Sequence, residues 1–111
     1  MLLFVNTHVQ TYQRLIRFLK NQFPAQFPVS VRRLRLNTNL DGDCRLCQKA
    51  TFLIRINRDL LEHEAIETLL HEYAHVLAWD KCQNDQHCNE WGKSYSRIYR
   101  LFVNKFLDTS N

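Results

Sequence analysis

The stretch Leu70-His71-Glu72-Tyr73-Ala74-His75, set inside the apolar run from Ala65 to Trp79, decides what the rest of the chain has to build. Residues four apart share one face of an α-helix, so His71 and His75 can offer two imidazole nitrogens to a single ion. Glu72 follows the first of them directly, which puts its carboxylate beside that ion, where it can take a proton from water instead of binding the ion itself. The bland alternative is a pair of polar-face histidines on an ordinary amphipathic helix. Against it, Ile66, Leu69, Leu70, Tyr73, Ala74, Leu77 and Ala78 form a wide apolar stripe with both histidines at its border. Apart from Glu72 itself, only Glu67 lies three or four positions away to pair with them. A third histidine, His87, comes twelve residues after His75 and is followed by Glu90 and Trp91. That distance suits a helix, a loop and the start of another helix folding back over the ion. Three convergent ligands with one open position is the donor set of a catalytic zinc.

The chain has 111 residues, enough for a single domain (1–111) with one core and too few for two. With 45% apolar residues, 12% aromatics, two glycines and two prolines, it is neither disordered nor built of many short strands joined by tight turns. No window reaches the roughly eighteen uncharged apolar residues that span a bilayer. Met1 to Val5 is too short for a signal-peptide core, so the expected compartment is the cytoplasm, with no membrane partner. The formal net charge is +4. Since Glu62, Glu64, Glu67 and Glu72 crowd one helix, the remaining surface is more basic than that total implies. Arg14, Arg17 and Lys20, then Arg32, Arg33 and Arg35, then Lys93, Arg97, Arg100 and Lys105 could hold phosphates of DNA, or could be plain solvated surface.

Four cysteines fall in two pairs, Cys44/Cys47 and Cys82/Cys88. The C-x2-C spacing is a common half of a zinc site but C-x5-C is not a usual second half, so free, partly buried thiols are the default. A four-thiolate site is the lesser alternative, and disulfides are possible although nothing marks the chain as secreted.

Along the chain, Val9, Tyr12, Leu15, Ile16, Leu19 and Phe23 recur at helical spacing from Asn6 to Phe23, with Asn6 or Thr7 as N-cap and Pro24 as the stop. Val29 to Leu36 reads as a strand whose apolar parity changes at Arg32-Arg33, which predicts a bulge or twist there. Asn37 to Cys47 reads as a turn-rich loop; its Asp41-Gly42-Asp43 lacks the ligand pattern of a calcium loop. Lys49 to Asn57 alternates as a strand, expected to pair antiparallel with the first across that loop. The metal helix should run from about Glu62 to Trp79, with early acids at the positive end of its dipole. The last amphipathic helix, carrying Trp91, Tyr95, Ile98, Tyr99, Phe102 and Phe106, should run from about Asn89 to Leu107. The fold class is α+β: a helix, a short antiparallel sheet of two or three strands, the H-E-x-x-H helix and a closing helix.

Leu53-Ile54-Arg55-Ile56-Asn57, an acidic helix start, Leu70 to His75, and then His87-x-x-Glu90-Trp91 with Tyr95 and Tyr99 resemble the SprT-like (Spartan-related) zinc metalloproteases. The likeness is greatest to their short bacterial and phage members and covers about half of the chain. It implies a zincin-like domain that binds Zn2+ through His71, His75 and His87, with Glu72 as the catalytic carboxylate. Where the family commonly has Gly-Pro after the third histidine, this chain has Cys88-Asn89, so Cys88 could crowd or compete for the metal. The chain is also too short for the zinc ribbon and DNA-binding segments of larger relatives. In the small gluzincins a glutamate is the third ligand, a part open to Glu90, though His87 suits it better.

The expected chemistry is zinc-assisted hydrolysis of a protein or peptide substrate. Glu72 would act as general base and then pass its proton to the leaving amine. The strand Thr51 to Asn57 would align an extended substrate by β-addition, and Tyr95 or Tyr99 could reach the site. Two rivals stay open at this stage. One is a DNA-associated binding protein with a structural zinc closed by Cys88 or Glu90. The other is a latent enzyme whose cleft is covered by a partner chain rather than by the short tail Asp108 to Asn111.

Overall fold

The computed structural model describes residues 4–37 and 39–107, with side chains from residue 11 onward; the side chain of Val9 and the tail at 108–111 lie outside the described residues. Helix α1 spans Phe4–Gln22, strands β1, β2 and β3 span Val29–Leu34, Gly42–Cys47 and Thr51–Asn57, and helices α2 and α3 span Glu62–Leu77 and Asn89–Phe102. A 3-10 turn at Trp79–Lys81 follows α2, and a π-helical turn at Val103–Leu107 follows α3. The class is α+β. Because α1 already begins at Phe4, neither Asn6 nor Thr7 is its N-cap.

The apolar stripe of α2 forms because its residues recur at three and four, and it is where the core gathers. Ala65, Ile66, Leu69, Leu70, Tyr73 and Ala74 are buried against Phe52, Ile54 and Ile56 of β3, Tyr12, Leu15 and Leu19 of α1, and Ile98 and Phe102 of α3. The Tyr73 hydroxyl donates to the Phe23 carbonyl at 2.8 Å, which satisfies the one polar atom this stripe carries inward and ties α2 to the end of α1. At the start of α2, the Glu64 carboxylate accepts the Leu61 backbone N–H at 2.9 Å, and Glu62 and Glu64 both sit in the first turn. The helix that carries the H-E-x-x-H motif is thus fixed at its start and along one whole face.

The sheet is mixed, with strand order β1-β3-β2. This corrects the expected antiparallel sheet. β1 pairs with β3 in parallel, from Val29↔Phe52 to Leu34↔Asn57, and β2 pairs with β3 antiparallel, from Gly42↔Ile56 to Cys47↔Thr51. The stretch expected as a loop contains β2. A tight turn after Cys47, with Ala50 at φ 55° and its N–H on the Cys47 carbonyl at 3.0 Å, folds β2 back on β3. Successive strands alternate in direction, so when β1 takes the other side of β3, the first and third must run parallel. β3 is therefore central and hydrogen-bonded on both sides, and it has no free edge for a peptide, contrary to expectation.

β1 keeps register with no slip at Arg32-Arg33, so the expected bulge is also corrected. The apparent change of parity arises because Arg33 occupies a core-face position opposite Ile56. Its guanidinium is held by Glu62 at 3.1 Å and by the carbonyls of Arg58 and Leu60 at 3.2 Å each, over the Tyr12 ring at 5.2 Å. Arg14 and Arg97 likewise lie over Phe106 and Phe23. Arg17, Lys20, Arg32, Arg35, Lys93, Arg100 and Lys105 are exposed. Among the described residues no helix is long and apolar enough to cross a membrane.

Gly42 begins β2 where the strand passes closest to α2. A Cβ there would stand 2.6 Å from the Arg55 carbonyl oxygen and 2.7 Å from Thr68 Cγ2. Gly42→Ala is expected to destabilise the fold by about 1–3 kcal/mol through forced displacement of β2 from α2. Urea denaturation checks this, and an unchanged midpoint would mean that the strand moves aside freely.

Candidate metal centre

His71 and His75 stand one turn apart, both half-buried, on the border of the α2 stripe, and His87 arrives from the loop before α3. The His75 Nε2 lies 3.2 Å and the His87 Nε2 3.4 Å from the His71 Nε2, and the three ligand atoms fall within 4.8 Å of one another. Nitrogens bound tetrahedrally at about 2.0–2.1 Å from a zinc stand about 3.3 Å apart. The observed spacing is that of a shared cation, and the donor set suits it, since imidazole is a ligand for zinc and neighbouring transition metals. The three histidines fit a metal ion. No other cluster of metal-binding side chains occurs among the described residues.

Trp91, on the first turn of α3, organises all three rings. Its indole stacks on His75 at 5.4 Å between centroids and meets His71 and His87 edge-on at 5.0 and 4.7 Å. Its N–H donates to the His71 carbonyl at 3.3 Å. Tyr95 stacks on the outer side of the indole at 5.2 Å. Trp91→Ala is expected to weaken metal binding about 10–100-fold, the usual loss when a group that orients ligands is removed. Trp91→Phe should recover most of it. Competition against a chromogenic chelator measures both; wild-type affinity in the alanine variant would reduce Trp91 to a space filler.

Glu72 faces the same cleft and is buried, 8% exposed. Among the described residues its carboxylate has no hydrogen-bond partner in the protein, and burial, then the nearby Asp43 charge, pushes its pKa up to about 7. Asp43 itself is held below the carboxylate range chiefly by its hydrogen bonds from Arg55, with Arg45 adding to them. The cleft, about 530 Å3, is walled by Leu40, Gly42, Asp43 and Cys44 on one side and by Trp79, Cys82, Gln83 and Gln86 on the other.

Burial, followed by the other histidines, lowers the pKa of His71 and brings that of His75 down to about 4. In the metal-free protein these two rings bind protons more readily when unfolded, so the stability they contribute is lost as pH falls from 6.5 toward 4. Glu72 acts in the opposite sense. Its stabilising protonated form is lost as pH rises from 4.5 through about 7. Metal-free Glu72→Gln is therefore expected to exceed the wild type in stability by about 1–3 kcal/mol above pH 7, with the difference closing near the unperturbed carboxylate range. Urea melts of chelator-treated protein at the two ends of that range test this; equal stability at alkaline pH would mean that water reaches the carboxylate.

The cysteines depart from the free-thiol default. Cys82 and Cys88 form a disulfide, with Cα atoms 5.5 Å apart. Cys88 is thereby removed as a competing ligand, and Glu90 pairs with Lys93 at 3.7 Å. Cys44 and Cys47 are free but belong to opposite faces of β2, opposite Ile54 and Thr51, so they cannot converge on one ion. The four-thiolate alternative falls with these facts. Burial, with Glu72 and Asp43 adding to it, pushes the Cys44 thiol up to about 12, so it stays a neutral part of the cleft wall. Of the two tyrosines, Tyr99 donates to Glu67 at 3.1 Å, while Tyr95 lines a side chamber with His71 and Glu72.

Sequence reading missed the cleft walls. Gly42, Cys44 and Leu46 alternate with Asp43, Arg45 and Cys47, a period-two signal that the turn-forming composition obscured. Trp79 packs on Phe52 at 5.5 Å, and only its place at the end of the apolar run could have marked it. No individual curated protein matches the sequence. The sequence model of the SprT-like family matches residues 7–109, which takes in β2, the H-E-x-x-H helix and the His87 loop together, and the chain belongs to the SprT-like family.

Proposed function

We propose that the chain is a zinc-dependent peptidase whose ligands are His71, His75 and His87 and whose general base is Glu72. The observation that carries this reading is a buried carboxylate without a protein partner beside a three-nitrogen site that has no fourth protein ligand among the described residues. A structural site would be closed, whereas a catalytic one keeps a position open. A zinc ion held there supplies Lewis acidity, lowering the pKa of a water and polarising the scissile carbonyl. Glu72, with a pKa of about 7, takes the proton from the attacking water and returns it to the departing amine nitrogen.

β2 is an edge strand, and Gly42, Asp43 and Cys44 line the cleft, so an extended peptide adds to its free side by backbone hydrogen bonds. This mode gives weak side-chain selection and suits unfolded protein. Tyr95, lining the chamber beside His71 and Glu72, is the donor placed to meet negative charge on the carbonyl oxygen. The test is elemental analysis of the purified protein alongside cleavage of an unfolded casein. About one zinc per chain is expected, as three imidazoles with an open position hold one ion. Cleavage should be abolished by chelation and restored by zinc. A folded, zinc-loaded protein that cleaves no peptide would overturn the reading.

A further inference from the structure

The bridge Cys82–Cys88 closes a loop whose intervening residues, 83–87, are all exposed. That loop serves the metal centre at two points. His87 precedes Cys88 and supplies the third nitrogen, 3.4 Å from that of His71. Cys82, Gln83 and Gln86 form one wall of the cleft. A further bond, from the Gln83 side chain to the Trp79 carbonyl at 2.7 Å, anchors only the start of the loop. On its far half the Asp85 carboxylate accepts the His87 backbone N–H and the Asp85 carbonyl accepts the Cys88 N–H, at 3.1 Å each, and both bonds lie within the loop, so that Trp91 alone meets His87 from α3.

A bridge closing so short a loop restricts the unfolded chain less than one spanning a long loop would. Its consequence is local: it decides how firmly His87 is presented. We propose that Cys82–Cys88 is a redox latch on the metal centre, closed as the disulfide and opened by a dithiol reductant. The inference rests on the three-histidine site of the proposed function and names the regulation of that site. In the opening step a thiolate of the dithiol attacks one sulfur of the bridge, the Cys82–Cys88 bond breaks, and a mixed disulfide forms. The second thiolate of the reductant then displaces the remaining protein thiol. The dithiol leaves oxidised by two electrons, and both protein sulfurs leave as thiols. With the latch open the loop gains conformational freedom, and holding His87 on the ion now requires ordering it. Both cysteines are only half-buried, so a reductant reaches them. In a reducing compartment a bridge of this kind is transient or sensing in character.

The protein is equilibrated with a small dithiol in its oxidised or its reduced form and freed of it. One portion is then alkylated in denaturant, and the zinc affinity of a second, folded portion is measured by chelator competition, with a phosphine holding the reduced state. Two alkylated cysteines in the oxidised state, Cys44 and Cys47, and all four in the reduced state are expected. The reduced protein should bind zinc about tenfold more weakly, the lower end of what loosening a ligand's support costs. Cys82→Ser/Cys88→Ser should match the reduced wild type and show no redox response. Four alkylated cysteines after the oxidised dithiol, equal affinity in the two states, or a redox response that persists in the double serine variant would each overturn the latch. If that variant does not fold, the reduced wild type decides alone. His87→Ala in the oxidised state separates the two claims. If it binds zinc as tightly as the wild type, the three-histidine reading fails; if it binds weakly while redox state has no effect, the latch alone fails.

Discussion

Glu72→Gln is expected to lower peptide hydrolysis about a thousandfold while leaving one metal ion per chain, since a positioned general base contributes about 10²–10⁴ in rate. The two effects separate because Glu72 is not among the convergent nitrogen donors. Gln keeps the shape and the burial of the side chain but cannot accept the proton, so the attacking water stays a poor nucleophile. In free-energy terms the loss is about 4 kcal/mol of transition-state stabilisation at 1.36 kcal/mol per decade. Glu72→Asp tests the same idea by geometry. The carboxylate survives but withdraws by about one methylene, and a misplacement of about 1 Å costs on the order of a hundredfold. Cleavage rates and metal content measured on the same samples decide the matter. Persistent cleavage in metal-loaded Glu72→Gln would remove Glu72 from the chemistry, and loss of the ion in that variant would make Glu72 a ligand.

The helices were readable because each carries a periodic apolar face that a single window captures. Of the α2 stripe named from spacing alone, Ile66, Leu69, Leu70, Tyr73, Ala74 and Ala78 are buried and Leu77 is half-buried, and the expected limits of α1 and α3 fall within a few residues of those observed. The sheet was less readable because strand pairing is a non-local property. β3 alternates cleanly, yet nothing within it states which neighbour lies on which side. β2 was hidden by Asp41-Gly42-Asp43, where turn-forming residues serve instead a close approach to α2 and an outward pair with Arg55. Arg33 misled for a related reason, since its charge reads as surface while its guanidinium is consumed by Glu62 and two carbonyls across the sheet end.

At the site, the three histidines and Glu72 were legible because the helical repeat fixes His71, Glu72 and His75 relative to one another, and a loop of that length suffices to return His87. What surrounds them was not. The contact of Trp91 with all three rings depends on the crossing of α3 over α2, and the pairing of Cys82 with Cys88 depends on the path of the loop between the 3-10 turn and α3. Both are consequences of tertiary geometry for which a spacing of residues gives only the possibility.

Removing single histidines should show that the site acts as a unit built from unequal parts. His71 and His75 sit on a helix that the core holds rigid, and His75 is half-buried under Trp91, whereas His87 is exposed on a loop. In the metal-free protein His87→Ala is expected to change stability by less than about 0.5 kcal/mol, as for other exposed positions. His75→Ala, which removes a stacked ring, should cost about 1 kcal/mol. With metal the order of effects is no longer set by burial. Each ligand carries a comparable share of the binding, so losing any one weakens affinity by about a hundredfold, in line with roughly 10–16 kcal/mol spread over a complete zinc site. At zinc one hundred times the wild-type dissociation constant, the wild type gains about 2.7 kcal/mol and each alanine variant about 0.4 kcal/mol. For a domain near this size that is a rise in melting temperature of about 10 °C or more against about 2–3 °C. Thermal melts of the wild type and the three variants, with zinc and with chelator, read out both series together. A wild-type rise in His87→Ala would leave the loop histidine outside the site, and the ion would then be held by the helix pair and some other group.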